Sequence, residues 1–226
     1  VRIALVTLAS ALVVVLILLG LLHSSYGKAF VRGKIAAKLG QAVDGTVELG
    51  AVDYGFLFSD LELEQVVVHD RQGRTAIAIA RLRAVLDRRS LLHGTPVIED
   101  LTVEALDATI VQTADGRTNL TGLVRPSGSA PPASLTIRAM HVSGAAQITR
   151  PDGTVISLAE LVVQGSAQLR PREQRADVTL SGISANVTYA MPGAPVRKLD
   201  LAVATVELAR RGGAVEATVA KQAFGA

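Results

Sequence analysis

Leu101-Thr-Val-Glu-Ala-Leu106 and Leu135-Thr-Ile-Arg-Ala-Met140 are near copies of each other, about 35 residues apart. In both, apolar side chains take every second position: Leu101, Val103 and Ala105 in one, Leu135, Ile137 and Ala139 in the other. A period of two belongs to a half-buried β-strand. Each copy then slips by one position, to Leu106, Ala108 and Ile110 and to Met140 and Val142. A one-residue slip moves side chains to the other face unless the backbone bulges, so each strand is expected to carry a bulge or bend. Each unit closes on Asp-Gly, at Asp115-Gly116 and Asp152-Gly153. These pairs read as turns, because neither carries the run of carboxylates a calcium loop needs.

The same design extends in both directions. Upstream, glycines 40, 45, 50 and 55 cut the chain into pieces too short for helices. Strands are predicted at Thr46 to Val52, Leu57 to Val68 and Thr75 to Leu86, with a turn at Asp70-Arg-Gln-Gly73 and a change of parity near Ala80. Downstream, residues 125–133, RPSGSAPPA, form a linker, and strands follow at Val155 to Leu169, Ala176 to Tyr189 and Val196 to Ala209. The last piece opens another strand near Ala214 to Val219, and an unpaired edge there suggests a fragment of a longer array. The expected order is an anchor at 1–24, a surface helix at 25–40, a first β-repeat region at 41–124, the linker, and further repeats at 134–226.

The anchor is Ile3 to Leu22, twenty consecutive residues without a charge, long enough as a helix to cross about 30 Å of hydrocarbon. A cleaved signal peptide or a buried core helix are the alternatives. The run is longer than a signal's apolar region and is followed by His23-Ser-Ser-Tyr26 rather than a small-x-small site. Residues 26–39 then read as an amphipathic helix at a bilayer surface. Tyr26, Phe30 and Leu39 would lie in the interface, with Lys28, Arg32, Lys34 and Lys38 on the head groups.

Charge and composition exclude several classes. The formal charge of +3 arises from residues 1–43, which hold five cations and no acid, leaving 18 basic and 20 acidic side chains for the rest. Nucleic-acid binding therefore lacks a basic patch on the folded part. The chain has no cysteine, so neither disulfides nor thiolate metal sites arise. His23, His69, His93 and His141 form no metal-ligand spacing, and the sequence has no Gly-x-Ser-x-Gly and no Walker-type loop. An enzyme is not expected, and neither is a cofactor or metal.

From the apolar run to Val124 the order of features resembles the amino-terminal region of the AsmA-like family of bacterial envelope proteins, which also takes in TamB-like and YhdP-like chains. Four stretches carry the resemblance. They are the run with its basic helix ending in Lys38-Leu-Gly40; Asp60-Leu-Glu-Leu-Glu-Gln-Val-Val-Val-His-Asp70 with Ala78-Ile-Ala-Arg-Leu82; Ser90-Leu-Leu-His-Gly94 with Val97-Ile-Glu-Asp-Leu101; and Asp115-Gly-Arg-Thr-Asn-Leu120. The resemblance implies a single span in a bacterial inner membrane with the β-part in the periplasm. Four cations after the run and only Arg2 before it argue for the opposite orientation.

The expected fold is mainly β: an N-terminal transmembrane helix, then an elongated, curled, repeat-built antiparallel sheet forming an apolar groove. The groove wall would comprise Leu61, Leu63, Ile77, Ile79, Leu101, Val103, Leu135, Ile137, Leu158, Leu161, Val178 and Leu180. An ordinary sandwich core is the competing reading. Aromatic residues make up only 3% of the chain and Trp is absent, poor filler for a compact core. The expected function is phospholipid transport between inner and outer membranes and envelope homeostasis, with phospholipid acyl chains and the inner membrane as partners. The alternative is an assembly factor that docks outer-membrane β-barrel components on an exposed strand edge.

Overall fold

The computed structural model describes residues 25–55, 59–92, 95–121, 123, 134–170, 173, 175–211 and 214–225. Helix α1 spans Ser25–Ala42 and runs on past Gly40. The strands are β1 (Thr46–Tyr54), β2 (Asp60–His69), β3 (Thr75–Leu86), β4 (Val97–Val111), β5 (Leu135–Thr149), β6 (Val155–Arg170), β7 (Arg175–Ala190), β8 (Arg197–Arg211) and β9 (Ala214–Gly225). A one-turn helix, α2 (Arg88–Leu92), joins β3 to β4. All nine strands form one sheet in sequence order.

Two expectations about the fold are corrected. Among the described residues no helix is long and apolar enough to cross a membrane. Helix α1 holds four cations in eighteen residues, and the run Ile3 to Leu22 lies outside the described residues. The expected transmembrane helix is therefore no part of the described fold, and the single-span inner-membrane location loses its support with it. Nor is the sheet wholly antiparallel, since β4 and β5 run parallel. Antiparallel neighbours can be joined by a tight turn, but a parallel pair needs a crossover of a dozen or more residues. Residues 112–134 supply that crossover, and the Pro- and Ser-rich stretch lies within it.

The phase slip seen in the sequence is a row of special backbone positions. Gln65, Ala105 and Glu160 have φ of 52°, 51° and 51°, left-handed values that non-glycine residues seldom adopt. They stand where the apolar side changes parity, between Leu63 and Val66, Val103 and Leu106, and Leu158 and Leu161. On β3 the slip falls at Ala80, which the pairing sets opposite both Gln65 and Ala105. β2, β3 and β4 each carry the additional residue at this level and so pair one to one through it, the register shifting where β4 meets β5, and both halves of each strand keep their aliphatic side chains on one side.

The hairpin turns repeat as well. Gly73, Gly116 and Gly153 have φ of 75°, 80° and 79°, and each N–H donates to the carbonyl three residues earlier, at Asp70, Thr113 and Arg150. In the first turn the buried Asp70 carboxylate accepts the N–H groups of Gln72 (2.8 Å) and Arg74 (3.0 Å) and the Arg74 guanidinium (2.9 Å). Burial pushes the Asp70 carboxyl up, but these donors and the Arg74 charge outweigh it, and its pKa lies below the ordinary value. A lowered carboxylate pKa stabilises the fold above the unfolded-state value of about 4 and loses that contribution as pH falls through the folded value. Stability against urea is expected to drop as pH falls below about 4. Asp70→Asn should flatten that slope, and an unchanged slope would refute the assignment.

Candidate functional site: the apolar face and its ends

The pairing registers carry aliphatic residues across the sheet in rows. One row runs Leu61, Ala84, Leu101, Met140, Gly165, Leu180, Val206. The next runs Leu63, Leu82, Val103, Val142, Val163, Ile183, Val203. Beyond the slip, Val66, Ile79, Leu106, Gly144 and Leu161 form a third, and Val68, Ile77, Ala108, Ala146, Leu158, Val187 and Leu199 a fourth. A fifth holds Ile98, Ile137, Ala167, Val178 and Leu208, and Leu135 pairs with Leu169 at the margin. Paired residues share a face. All twelve residues assigned to the groove wall thus stand on one side of the sheet; the five rows hold no charged residue from β2 to β8, whereas the marginal row of Leu135 and Leu169 reaches Arg210 in β8.

The opposite face is polar and carries ion pairs between strands. Arg81 lies 2.9 Å from Glu62 and 3.6 Å from Glu104, and Arg138 2.9 Å from Glu99. His69 stands between Glu48 and Thr75, and His141 lies 3.7 Å from Asp100. His23 and His93 lie outside the described residues.

Helix α1 covers one end of the apolar face. Val52, Tyr54, Leu63 and Val66 form a buried cluster, with Val31 and Ile35 of the helix packed on it beside Leu61, Ile79 and Leu82. Leu63 is thus a core residue of this cluster, and Leu61 and Ile79 are half-buried against it. The other nine groove residues lie outside that cluster, and apart from Val103, which is buried, they are half-buried.

The helix cations divide by role. Lys28 Nζ meets Asp53 at 2.8 Å, and Arg32 donates to the Gly50 carbonyl of the edge strand at 2.8 Å. Both tie the helix to β1. Phe30, 63% exposed, carries Lys34 at 5.5 Å from its ring, and Lys38 is also exposed one helical turn further on. The Tyr26 side chain lies outside what is described.

One candidate feature escapes the sequence reading. Where β3 and β4 part, Asn119 takes a strand's place beside β4. Its amide nitrogen donates to the Thr109 carbonyl at 2.8 Å, its side-chain oxygen accepts from the Val111 N–H at 2.9 Å, and its own N–H donates to the Val111 carbonyl at 3.0 Å. Beside it opens a cleft of about 530 Å³ lined by Arg71 and Arg74 from the β2–β3 turn and by Asp115, Arg117 and Thr118 from the chain after β4. The Thr113 hydroxyl and the Arg117 N–H hold the Asp115 carboxyl below its ordinary pKa. A pattern search finds no such cleft, because its arginines come from two separate turns.

Neither a comparison with protein-family models nor one with curated proteins finds a match to this chain.

Proposed function

We propose that the apolar face shelters phospholipid acyl chains, and that the protein takes part in moving phospholipid between membranes, as the resemblance to the AsmA-like family implies. The observation that carries this reading is the set of uncharged aliphatic rows. From β3 to β8 they extend over five strand spacings, roughly 24 Å, and the helix covers only the β1 end. A filled sandwich requires an opposing layer, and among the described residues the nine strands make a single sheet. Leu101, Leu158, Leu161, Val178 and Leu180 are half-buried, open to a flexible apolar occupant.

The mechanism is passive. Each methylene moved from water onto such a face gains about 0.8 kcal/mol, so a chain can shift between rows without bond chemistry. The outward flank of α1, with Phe30, Lys34 and Lys38, suits contact with anionic head groups.

The full chain, purified in mild detergent, is expected to retain phospholipid detectable by mass spectrometry and to accelerate transfer of a fluorescent phospholipid between vesicles. Protein that retains no lipid and transfers none would overturn the proposal. Capture of outer-membrane barrel components by such lipid-free protein would favour docking on a strand edge.

A further inference from the structure

We infer that the cleft between the β2–β3 turn and the segment after β4 is a binding site for a phosphate group. Among the described residues its lining holds three guanidiniums, from Arg71, Arg74 and Arg117, and a single carboxylate, from Asp115. The partners of Arg71 and Arg74, Asp44 and Asp70, are not part of the lining, and each engages its arginine through one carboxylate oxygen, Oδ2. A guanidinium has five N–H donors in a fixed fork, so such a pairing leaves donors for a second anion. Arg117 is the most exposed of the three, at 77%, and its Nε lies 3.4 Å from Asp115, a loose contact that an incoming oxyanion can replace. The Thr118 and Thr121 hydroxyls are hydrogen-bonded to each other at 3.0 Å, so the pair adds one further O–H donor for a phosphate oxygen. Arg71 and Arg74 sit on a turn fixed by the buried Asp70, so two of the three cations are positioned before any ligand arrives.

The ligand chemistry is a phosphate monoester or diester. It comes either from a free phosphate compound or from the head group of a lipid whose acyl chains lie on the apolar face. The second source rests on the function proposed above; the first does not.

Titration calorimetry of the full chain with inorganic phosphate and with soluble dihexanoyl phosphatidic acid separates the two. Both probes are expected to bind, with Arg117→Ala weakening each by about tenfold or more, as loss of a charge-assisted contact implies. Arg138→Ala, on the polar face, should leave them unchanged. Asp115→Asn should tighten phosphate several-fold, a gain that a misfolded variant cannot produce. Failure of both probes to bind, or equal losses in the Arg117 and Arg138 variants, would overturn the site. Phosphatidic acid binding at least tenfold tighter than phosphate, and losing that margin in Ile77→Glu, on the aliphatic side three residues beyond Arg74, assigns the lipid source. Equal affinities assign the free compound and leave the acyl-chain reading to its own test.

Discussion

Leu161→Glu is expected to abolish binding of a fluorescent acyl probe, while Val162→Glu, one residue along, leaves it within about twofold. Leu161 pairs with Gly144 on the aliphatic side of β6, and Val162, 40% exposed, lies between Ser143 and Ser184 on the polar side. Removing a leucine contact forfeits about 1.5 to 3 kcal/mol, and a carboxylate on the same wall adds the cost of stripping its water. Together these give at least a tenfold to hundredfold loss. Circular dichroism on both variants checks that the sheet survives. Equal losses, or none in either, would remove the apolar face as the binding surface.

The largest effect on stability is expected at the parallel junction. Gly144 lies against Leu106, and a Cβ there would stand 2.6 Å from the Leu106 nitrogen and closer still to its carbonyl oxygen. Backbone cannot yield as a side-chain tip does, so Gly144→Ala must shift β4 against β5. We expect a cost of about 3 kcal/mol or more, at the upper end for overpacking, and a fall in Tm of roughly 6 to 12 °C for a domain near this size. Gly182 in β7 has open space around its missing Cβ. Gly182→Ala should be neutral or stabilising by up to about 1 kcal/mol, since alanine has less backbone freedom to lose on folding. Comparable losses at the two positions would show that close approach is not what selects glycine at 144.

The strands were legible because their alternation is regular. Thr75–Leu86 has the bounds expected from periodicity, and the parity change near Ala80 falls on the row of left-handed positions. The parallel pairing was not legible. Residues 112–134 carry turn chemistry and low-complexity sequence, and neither records which way the next strand enters. The division of helix cations was hidden for a similar reason. Lys28 and Arg32 differ from Lys34 and Lys38 only in facing β1, which depends on how the helix rolls onto Val52 and Tyr54. The arginine cleft depends on two turns meeting, with Asn119 holding the second in place.

The shared slip also constrains how such a chain can change in length. Removing one residue between Leu63 and Val66 would leave plain alternation in β2, with Val66 and Val68 still on the side of Leu63, but would put one half of β2 a residue out of register with β3, which keeps its own additional residue at Ala80. A whole hairpin added at a turn disturbs no register. Drift in size among chains built this way should therefore come in complete strand pairs, with single-residue gaps confined to the turns and the crossover.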